Sequence, residues 1–222
     1  MKLNKYIDET NLKAYITEED IKKLCENAIK YDFATVCINP CNVSLAKNLL
    51  KHSNVKVCTV IGFPLGQNTT NIKVLETREA IENGVDEIDM VINIGKLKDK
   101  DFEYVKNEIK KVRDISKDHI LKIIIETCYL NDEEIKKMTL MCNELKVDYI
   151  KTSTGFGSYG ARIEDIDIIS KYKNDELQIK ASGGIKDYKT AIEMIEHGAT
   201  RIGTSNGVKI IEEEIKWNYM KN

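Results

Sequence analysis

Short apolar runs alternate with segments of helical periodicity along the whole chain, and this alternation constrains the fold more than any other feature. The runs recur about every 25 to 30 residues, a spacing that suits one strand, one helix and two short loops. Strict alternation of strands and helices predicts repeated βαβ units and a parallel sheet. Seven runs are clear: TVCIN (35–39), VKVCTVIGF (55–63), EIDMVIN (87–93), LKIIIET (121–127), YIKTST (149–154), QIKAS (178–182) and RIGTS (201–205).

An eighth strand is needed before such a sheet can close into a barrel. The short segment Tyr6-Ile7-Asp8, which a helical segment follows, supplies it. Eight units in 222 residues fit the lower end of the size range of (β/α)8 barrels. The competing architecture, an open doubly wound sheet, usually carries a GxGxxG turn after its first strand, and the sequence has none. We therefore predict the α/β class and a single (β/α)8 TIM barrel, one domain spanning residues 1–222.

Several helix boundaries are also visible. Thr17 with Asp20, and Asn131 with Glu134, match the spacing of capping boxes at helix starts. Gly84 and Gly198 stand where helices should end. The helical period predicts two buried faces, Ile21, Leu24, Ala28 and Ile29 in one helix and Phe102, Val105, Ile109, Val112 and Ile115 in another.

The composition argues against several classes of protein. The 34 basic and 36 acidic residues are spread along the chain and give a formal charge of −2, so no nucleic-acid partner is expected. No apolar stretch has the length of a membrane span or of a signal-peptide core. Six scattered cysteines without a CxxC pair are typical of reduced thiols in a cytoplasmic protein. The three histidines show no HxH or HxxxH spacing, so no metal site built from histidines is expected.

Charged and polar side chains collect at the ends of the predicted strands. Lys151 stands near the end of the sixth strand, Lys180 near the end of the seventh, and Asp89 on the fourth. A charged side chain is tolerated on such strands only if it faces the barrel mouth, because helices cover the other side. The carboxyl ends of barrel strands surround the site in this fold. We therefore expect both ammonium groups and the carboxylate to converge on one pocket, where Asp8 and Cys37 also stand.

Two lysines near one carboxylate suit a reaction through a Schiff base. A neutral lysine amine attacks an aldehyde or ketone to form an imine. A second ammonium close by, together with partial burial, favours that neutral form. The alternative for either lysine alone is a side chain that reaches solvent and pairs with a surface carboxylate. The repetition of the arrangement on consecutive strands favours the catalytic interpretation.

Two glycine-bearing loops, SGGI (182–185) and IGTSNG (202–207), follow the seventh and eighth strands. In barrels of this type, backbone N–H groups of these loops and a helix N-terminus behind them commonly bind phosphate. Glycines that only make tight turns are the alternative. The pair of loops, in these positions, favours a phosphorylated carbonyl substrate.

Eight motifs, in order from residue 6 to about residue 210, resemble the 2-deoxyribose-5-phosphate aldolase family. They are IDETNLK (7–13), VCINP (36–40), GFPLG (62–66), EIDMVINIG (87–95), IIETCYL (124–130), IKTSTGF (150–156), IKASGGI (179–185) and ATRIGTSNG (199–207). The resemblance implies a class I, metal-independent aldolase that reversibly cleaves 2-deoxy-D-ribose 5-phosphate to D-glyceraldehyde 3-phosphate and acetaldehyde, in deoxyribose phosphate catabolism. Small phosphorylated sugars and aldehydes are the implied partners, without a cofactor. A homo-oligomer, dimer or tetramer, is left open.

By this resemblance Lys151 is the Schiff-base lysine, and Asp89 and Lys180 are its partners in proton transfer. From the loops, the strand ends and the resemblance together, we expect the substrate-binding residues to be Asp8, Thr10, Cys37, Thr154, Gly155, Gly183, Gly184, Gly203, Ser205 and Asn206. We also expect Lys122 and Glu126, which share parity on the fifth strand, to form a buried pair, most simply a structural salt bridge.

Three positions depart from the pattern common in that family. Glu9 and Ala14 stand where many relatives have His and Pro in DHTLLKP, and Asn206 replaces the commoner Ser in TSSG. The Asn206 amide can still donate a hydrogen bond. These departures touch the loop after the first strand and the phosphate turn, but not the lysines.

Three rival functions remain open from the residues alone. Another Schiff-base aldolase or transaldolase would keep the reactive lysine and prefer a different donor. A sugar-phosphate isomerase would use a carboxylate base and need no imine. A non-enzymatic barrel that binds sugar phosphates would keep the glycine loops and show no turnover.

Overall fold

The computed structural model describes residues 2–221, and eight parallel strands in that part of the chain close into a barrel. The strands follow chain order around the barrel, and the eighth pairs with the first to complete it. The predicted (β/α)8 barrel is therefore confirmed; residues 1 and 222 of the predicted domain lie outside the described residues. The strands are β1 Ile7–Asn11, β2 Thr35–Ile38, β3 Lys56–Ile61, β4 Glu87–Val91, β5 Ile120–Ile124, β6 Tyr149–Lys151, β7 Gln178–Ser182 and β8 Arg201–Thr204.

Helices follow every strand, and β4 is followed by two of them. In residues 2–221 they are α1 Glu18–Tyr31, α2 Val43–Leu50, α3 Thr70–Glu82, α4 Ile94–Lys98, α5 Phe102–Ile115, α6 Asp132–Glu144, α7 Ile163–Tyr172, α8 Tyr188–Glu196 and α9 Gly207–Lys221. No helix within this described range is long and apolar enough to cross a membrane.

The predicted helix boundaries are confirmed where the sequence carried a capping signal. Thr17 and Asp20 form a reciprocal capping box at the start of α1, and Asn131 and Glu134 form another at the start of α6. Gly198 follows α8 with φ of 115°, a left-handed conformation that favours glycine at the end of a helix.

Two local predictions are wrong. Tyr6 belongs to a 3-10 helix, Leu3–Tyr6, so β1 begins at Ile7 and continues to Asn11. Ile29 is 46% exposed, because the buried face of α1 contains Cys25 beside Ile21, Leu24 and Ala28. That set follows the i, i+3, i+4, i+7 pattern of one helix face, and Ile29 lies at its edge.

Alternation along the strands separates an apolar layer from a charged one. On β4, Ile88 and Met90 belong to the hydrophobic core between the barrel and the helices. Their neighbours Glu87 and Asp89 are buried and form ion pairs with side chains from other strands, which places them inside the barrel. The barrel interior below its mouth is therefore built largely from charged side chains that satisfy one another.

Candidate active site

A cavity of about 260 Å³ opens at the carboxyl ends of the strands. Lys151 lines it, together with Thr10 and Asn11 from the end of β1 and the loops after β6, β7 and β8. The predicted binding residues that line the cavity are Thr10, Thr154, Gly155, Gly183, Gly184, Gly203, Ser205 and Asn206. Asp8 and Cys37 do not line it; both are fully buried in the barrel interior.

Lys151, the last residue of β6, is the predicted Schiff-base lysine and lines the cavity. The residue is 2% exposed, and its Nζ donates a hydrogen bond to Oδ2 of Asp89 at 2.8 Å. Lys151 stands in register with Lys180 on β7, so the two side chains extend into the barrel next to each other. The amine therefore combines access to the cavity with a fixed position.

Lys180 lies deeper than Lys151 and is fully buried. Its Nζ donates to the same Oδ2 of Asp89 at 2.8 Å and lies 2.5 Å from Oδ2 of Asp8. Burial by itself lowers the pKa of Lys180, but the charges of Asp8 and Asp89 outweigh burial and raise that pKa above its ordinary value. Lys180 is thus held as an ammonium beside the Lys151 amine.

Asp89 joins the two lysines. Its Oδ2 accepts from Lys151 and Lys180, and its Oδ1 accepts from Lys122 at 2.8 Å. Burial raises the pKa of Asp89, but the charges of Lys122, Lys151 and Lys180 outweigh burial and hold it well below its usual range. Asp89 is therefore ionised at neutral pH and connects the amine at the cavity to the charged interior.

Three interior residues that the sequence analysis did not assign to the site complete this network. Nζ of Lys122 lies 2.6 Å from Oε2 of Glu87. Nη1 of Arg201 lies 2.7 Å from Oδ1 of Asp8 and 3.1 Å from Oε2 of Glu87. Strand parity was the available signal for Glu87, because it shares the face of Asp89 two residues along β4.

The predicted pair between Lys122 and Glu126 is wrong. Lys122 pairs with Asp89 and Glu87 instead. β5 ends at Ile124, and Glu126 has φ of 53°, so strand parity does not extend to that residue. A left-handed conformation at a non-glycine residue is uncommon, and here it turns the Glu126 side chain towards the loop after β6.

Glu126 holds that loop in place. Its carboxylate accepts a hydrogen bond from the backbone N–H of Thr154 at 3.1 Å and another from the Thr154 hydroxyl. Burial raises the pKa of Glu126, and the bonds from Thr154 oppose that effect. Because Thr154 and Gly155 line the cavity, Glu126 positions part of the cavity wall, although it does not line the cavity itself.

Two thiols lie beside the charged network. Cys58 donates to Oδ1 of Asp89 at 3.1 Å. A hydrogen bond from Cys58 lowers the pKa of Cys37 to about 7, although burial opposes it and Lys180 assists it. Ligand atoms of Cys37, Cys58 and Asp89 lie close enough together to hold a metal ion. Lys122, Lys151 and Lys180 surround that position, and their charges disfavour a divalent cation there.

The far end of the cavity is formed by loops. Gly183 and Gly184 follow β7 with φ of 83° and 78°, a conformation that favours glycine. At the turn after β8, the N–H of Asn206 donates to Oγ1 of Thr204 at 3.0 Å, and the N–H of Gly207 donates to Oε2 of Glu9 at 2.9 Å. These two backbone groups are already bonded within the protein, which the sequence analysis did not foresee.

Two lysines that the sequence analysis left out of the site also line this end of the cavity. They are Lys13, which follows β1, and Lys186, which follows the glycine loop after β7. Both are exposed. Ammonium groups at this position favour an anionic ligand, as the glycine loops do.

Comparisons with known proteins match both the sequence and this fold. Residues 2–212 match the model of the DeoC/LacD family of aldolases. A protein of Finegoldia magna named deoxyribose-phosphate aldolase is 54% identical over 96% of this chain and 100% of its own length. A protein of the same name from Thermococcus kodakarensis is 55% identical over 94% of this chain and 95% of its own length.

Solved structures agree with the sequence matches. An aldolase designated QR15 superposes with a TM-score of 0.94 at 42% identity, covering 99% of both chains. The tetrameric deoxyribose phosphate aldolase of Aeropyrum pernix superposes with a TM-score of 0.90 at 29% identity, covering 97% of this chain and 92% of the other.

A buried lysine that lines a small cavity at the mouth of the barrel suits an aldolase, and the chain belongs to the DeoC/LacD family of aldolases. Within that family it groups with the proteins named deoxyribose-phosphate aldolase, so the resemblance inferred from the eight motifs is confirmed.

Proposed function

We propose that this enzyme reversibly cleaves 2-deoxy-D-ribose 5-phosphate to D-glyceraldehyde 3-phosphate and acetaldehyde through a Schiff base on Lys151. The observation that carries the proposal is the position of the Lys151 Nζ, at the cavity and 2.8 Å from a carboxylate oxygen that a second lysine shares. The names of the relatives supply the substrate class.

The reaction begins when the neutral amine of Lys151 attacks the C1 aldehyde of the open-chain sugar. The carbinolamine that forms takes up a proton on its hydroxyl and loses water to give an iminium ion, which accepts electrons from the adjacent carbon. Removal of the proton from the C3 hydroxyl breaks the C2–C3 bond and releases D-glyceraldehyde 3-phosphate. The electron pair of that bond moves into the iminium and leaves an enamine on Lys151. Protonation of the enamine at C2 and hydrolysis of the resulting imine release acetaldehyde and restore the amine.

Asp89 and Lys180 are the proposed partners in these proton transfers. Since the pKa of Asp89 lies well below its usual range, its carboxylate holds a proton only transiently and serves as a bridge, through water, between substrate and Lys180. The iminium ion places a positive charge where the neutral amine stood, and the Asp89 carboxylate stabilises that charge.

The phosphate group is proposed to bind at the other end of the cavity. Gly183, Gly184 and Ser205 offer backbone and hydroxyl groups there, and Lys13 and Lys186 offer positive charge. This arrangement places the aldehyde at Lys151 when the phosphate occupies the loops. We further propose a cytoplasmic, catabolic role, with the homo-oligomer, dimer or tetramer, left to measurement of the mass in solution.

Reduction of the imine tests the proposal directly. Borohydride added with acetaldehyde should attach an ethyl group to Lys151, detected by mass mapping of the digested protein. The Lys151→Met variant is the matched control and should remain unlabelled. Labelling of Lys180 would reverse the assigned roles, and absence of any label would remove the imine mechanism and favour an isomerase or a binding barrel.

Chelation gives an independent test. The iminium ion accepts the electron pair, so the mechanism requires no Lewis acid. Activity should persist after exhaustive treatment with EDTA. Loss of activity that a divalent metal restores would contradict the class I assignment.

A further inference from the structure

Glu9 is a buried acidic side chain that the proposed mechanism does not use. It lies on β1 next to Asp8 but on the opposite face of the strand, away from the charged interior. Its side chain is only 5% exposed. Oε2 of Glu9 accepts a hydrogen bond from the backbone N–H of Gly207 at 2.9 Å. Gly207 is the first residue of α9 and directly follows the Ser205–Asn206 turn at the phosphate end of the cavity.

Within residues 2–221, no cation compensates this carboxylate. The residues in register with it are Val36 on β2 and Thr204 on β8, and the side chains of Ile7 and Phe33 border Gly207 from β1 and from the segment before β2. None of these four carries a charge, and among the described residues Glu9 forms no ion pair. Burial raises the pKa of Glu9 to about 7, while the hydrogen bond from Gly207 partly opposes it. The charge at this position therefore changes near neutral pH.

We propose that Glu9 is a specificity-determining residue that weakens binding of the substrate phosphate at the Ser205–Asn206 turn when its carboxylate is ionised. The N-terminal end of a helix attracts anions, because its backbone N–H groups are partly positive. In this chain an ionised carboxylate already takes one of these N–H groups and places a negative charge behind the turn. This inference rests on the proposed function, because it assumes that the phosphate binds there.

Two consequences distinguish this role from a structural one. Ionised Glu9 should lower the preference for phosphorylated over unphosphorylated sugar without altering the chemistry at Lys151. The effect should also depend on pH, since protonation removes the charge and keeps the side chain in place. A residue that only held the turn in shape would affect binding equally at every pH.

Sulfate is a suitable probe because it remains a dianion throughout the range in which Glu9 titrates. Its inhibition constant would be measured against cleavage of unphosphorylated 2-deoxyribose by the full-length enzyme at about pH 5.5 and about pH 8.5, well on either side of the value for Glu9. The variant Glu9→Gln keeps an oxygen that can accept from Gly207 but has no charge.

At the higher pH, we expect Glu9→Gln to bind sulfate roughly threefold to tenfold more tightly than the native enzyme, a scale set by one charge at a helix end. The KM of Glu9→Gln for 2-deoxyribose 5-phosphate should also be lower than that of the native enzyme, whereas kcat for unphosphorylated 2-deoxyribose should not change. At the lower pH the two proteins should bind sulfate alike. The inference would be overturned if Glu9→Gln and the native enzyme bound sulfate with equal affinity at the higher pH as well as at the lower. The native enzyme alone tests it too, because its sulfate affinity should fall as pH rises.

Ser205→Glu separates failure of this inference from failure of the proposed function. That substitution places a negative charge in the cavity itself, so it should weaken the binding of sulfate and phosphorylated sugar strongly and affect unphosphorylated sugar far less. If Ser205→Glu is selective and Glu9→Gln has no effect, only the role of Glu9 is wrong. If Ser205→Glu affects both sugars equally, the phosphate binds elsewhere and both assignments fail.

Discussion

At the end of the cavity where the carbonyl is proposed to react, the functional groups are side chains on strands. At the end where the phosphate is proposed to bind, the loops after β7 and β8 offer backbone and hydroxyl groups. Asp89 at the first end is fully buried and bonded to three lysines, while Ser205 and Lys186 at the second are exposed. Removing a member of a buried ion network leaves other charges without partners, which is costly. An exposed loop can change its charge at little cost. Substitutions in the buried network should therefore lower catalytic activity strongly, whereas substitutions in the exposed loops should change the affinity for phosphate with little other effect.

The largest expected contrast comes from the same substitution made at the two ends. Lys151→Met should lower kcat by roughly four orders of magnitude or more, because no nucleophile remains for imine formation. The loss should be equal for phosphorylated and unphosphorylated 2-deoxyribose. Lys186→Met, its matched control, should keep kcat and raise KM for the phosphorylated sugar alone. Steady-state kinetics with both sugars measures this, and a large fall in kcat for Lys186→Met would contradict the comparison.

Asp89→Asn should damage both activity and stability. It leaves Lys122, Lys151 and Lys180 without their shared carboxylate, so we expect the free energy of unfolding at neutral pH to fall by about 3 to 5 kcal/mol. The pKa of Asp89 is depressed in the folded protein, so its stabilising contribution is present above its unfolded value of 3.8 and is lost as pH falls below that. Urea denaturation from pH 7 down to acid should therefore show the gap between native protein and variant narrowing. A constant gap would mean that Asp89 is not stabilised as an anion.

The alternation of strands and helices and the two strand-end lysines were predictable because both leave a local pattern in the sequence. A charged residue at the end of an apolar run, as at Lys151 and Lys180, is unusual enough to be noticed. The contacts of Glu87 were harder to find. Glu87 meets Lys122 from the neighbouring strand β5 and Arg201 from the distant strand β8, and no local period links these residues.

Two failures at the site have specific physical causes. Strand parity holds only where the backbone is extended, and the left-handed conformation at Glu126 ends it there. Glu9 and Gly207 are 198 positions apart, so their hydrogen bond follows only from closure of the barrel by β1 and β8. Sequence patterns therefore locate residues on elements, while closure and backbone turns decide which of those residues meet.

Stability at the phosphate end should respond to pH in the opposite sense from the charged interior. The pKa of Glu9 is about 7 in the folded protein and 4.5 as the ordinary value, so between these values the native state holds more protons than the unfolded state. By linkage, stability falls as pH rises through this window. Each unit of the difference corresponds to about 1.4 kcal/mol, so Glu9→Gln should gain roughly 3 to 4 kcal/mol over native protein at alkaline pH and nothing near pH 4.

Thermal unfolding of both proteins across that range measures the effect. A Glu9→Gln variant whose advantage does not depend on pH would show that Glu9 titrates normally. The result would also weaken the role proposed for Glu9 in phosphate binding, because that role requires the charge to appear near neutral pH.

The smallest predicted effect concerns Glu126, which connects the two ends through the loop after β6. Glu126→Ala and Glu126→Gly both remove the carboxylate that accepts from Thr154, so both should raise KM and lower stability by the cost of an unpaired buried N–H, about 1 to 3 kcal/mol. The two variants differ in the backbone, since φ is 53° at this residue and only glycine adopts that conformation without strain. Glu126→Gly should therefore be more stable than Glu126→Ala by about 1 kcal/mol, against the usual cost of introducing glycine. Chemical denaturation of the pair decides the point, and Glu126→Gln is the control that keeps both the shape and an acceptor oxygen. If Ala is the more stable of the two, the left-handed turn at Glu126 does not hold the loop, and the wall formed by Thr154 and Gly155 is positioned by other contacts.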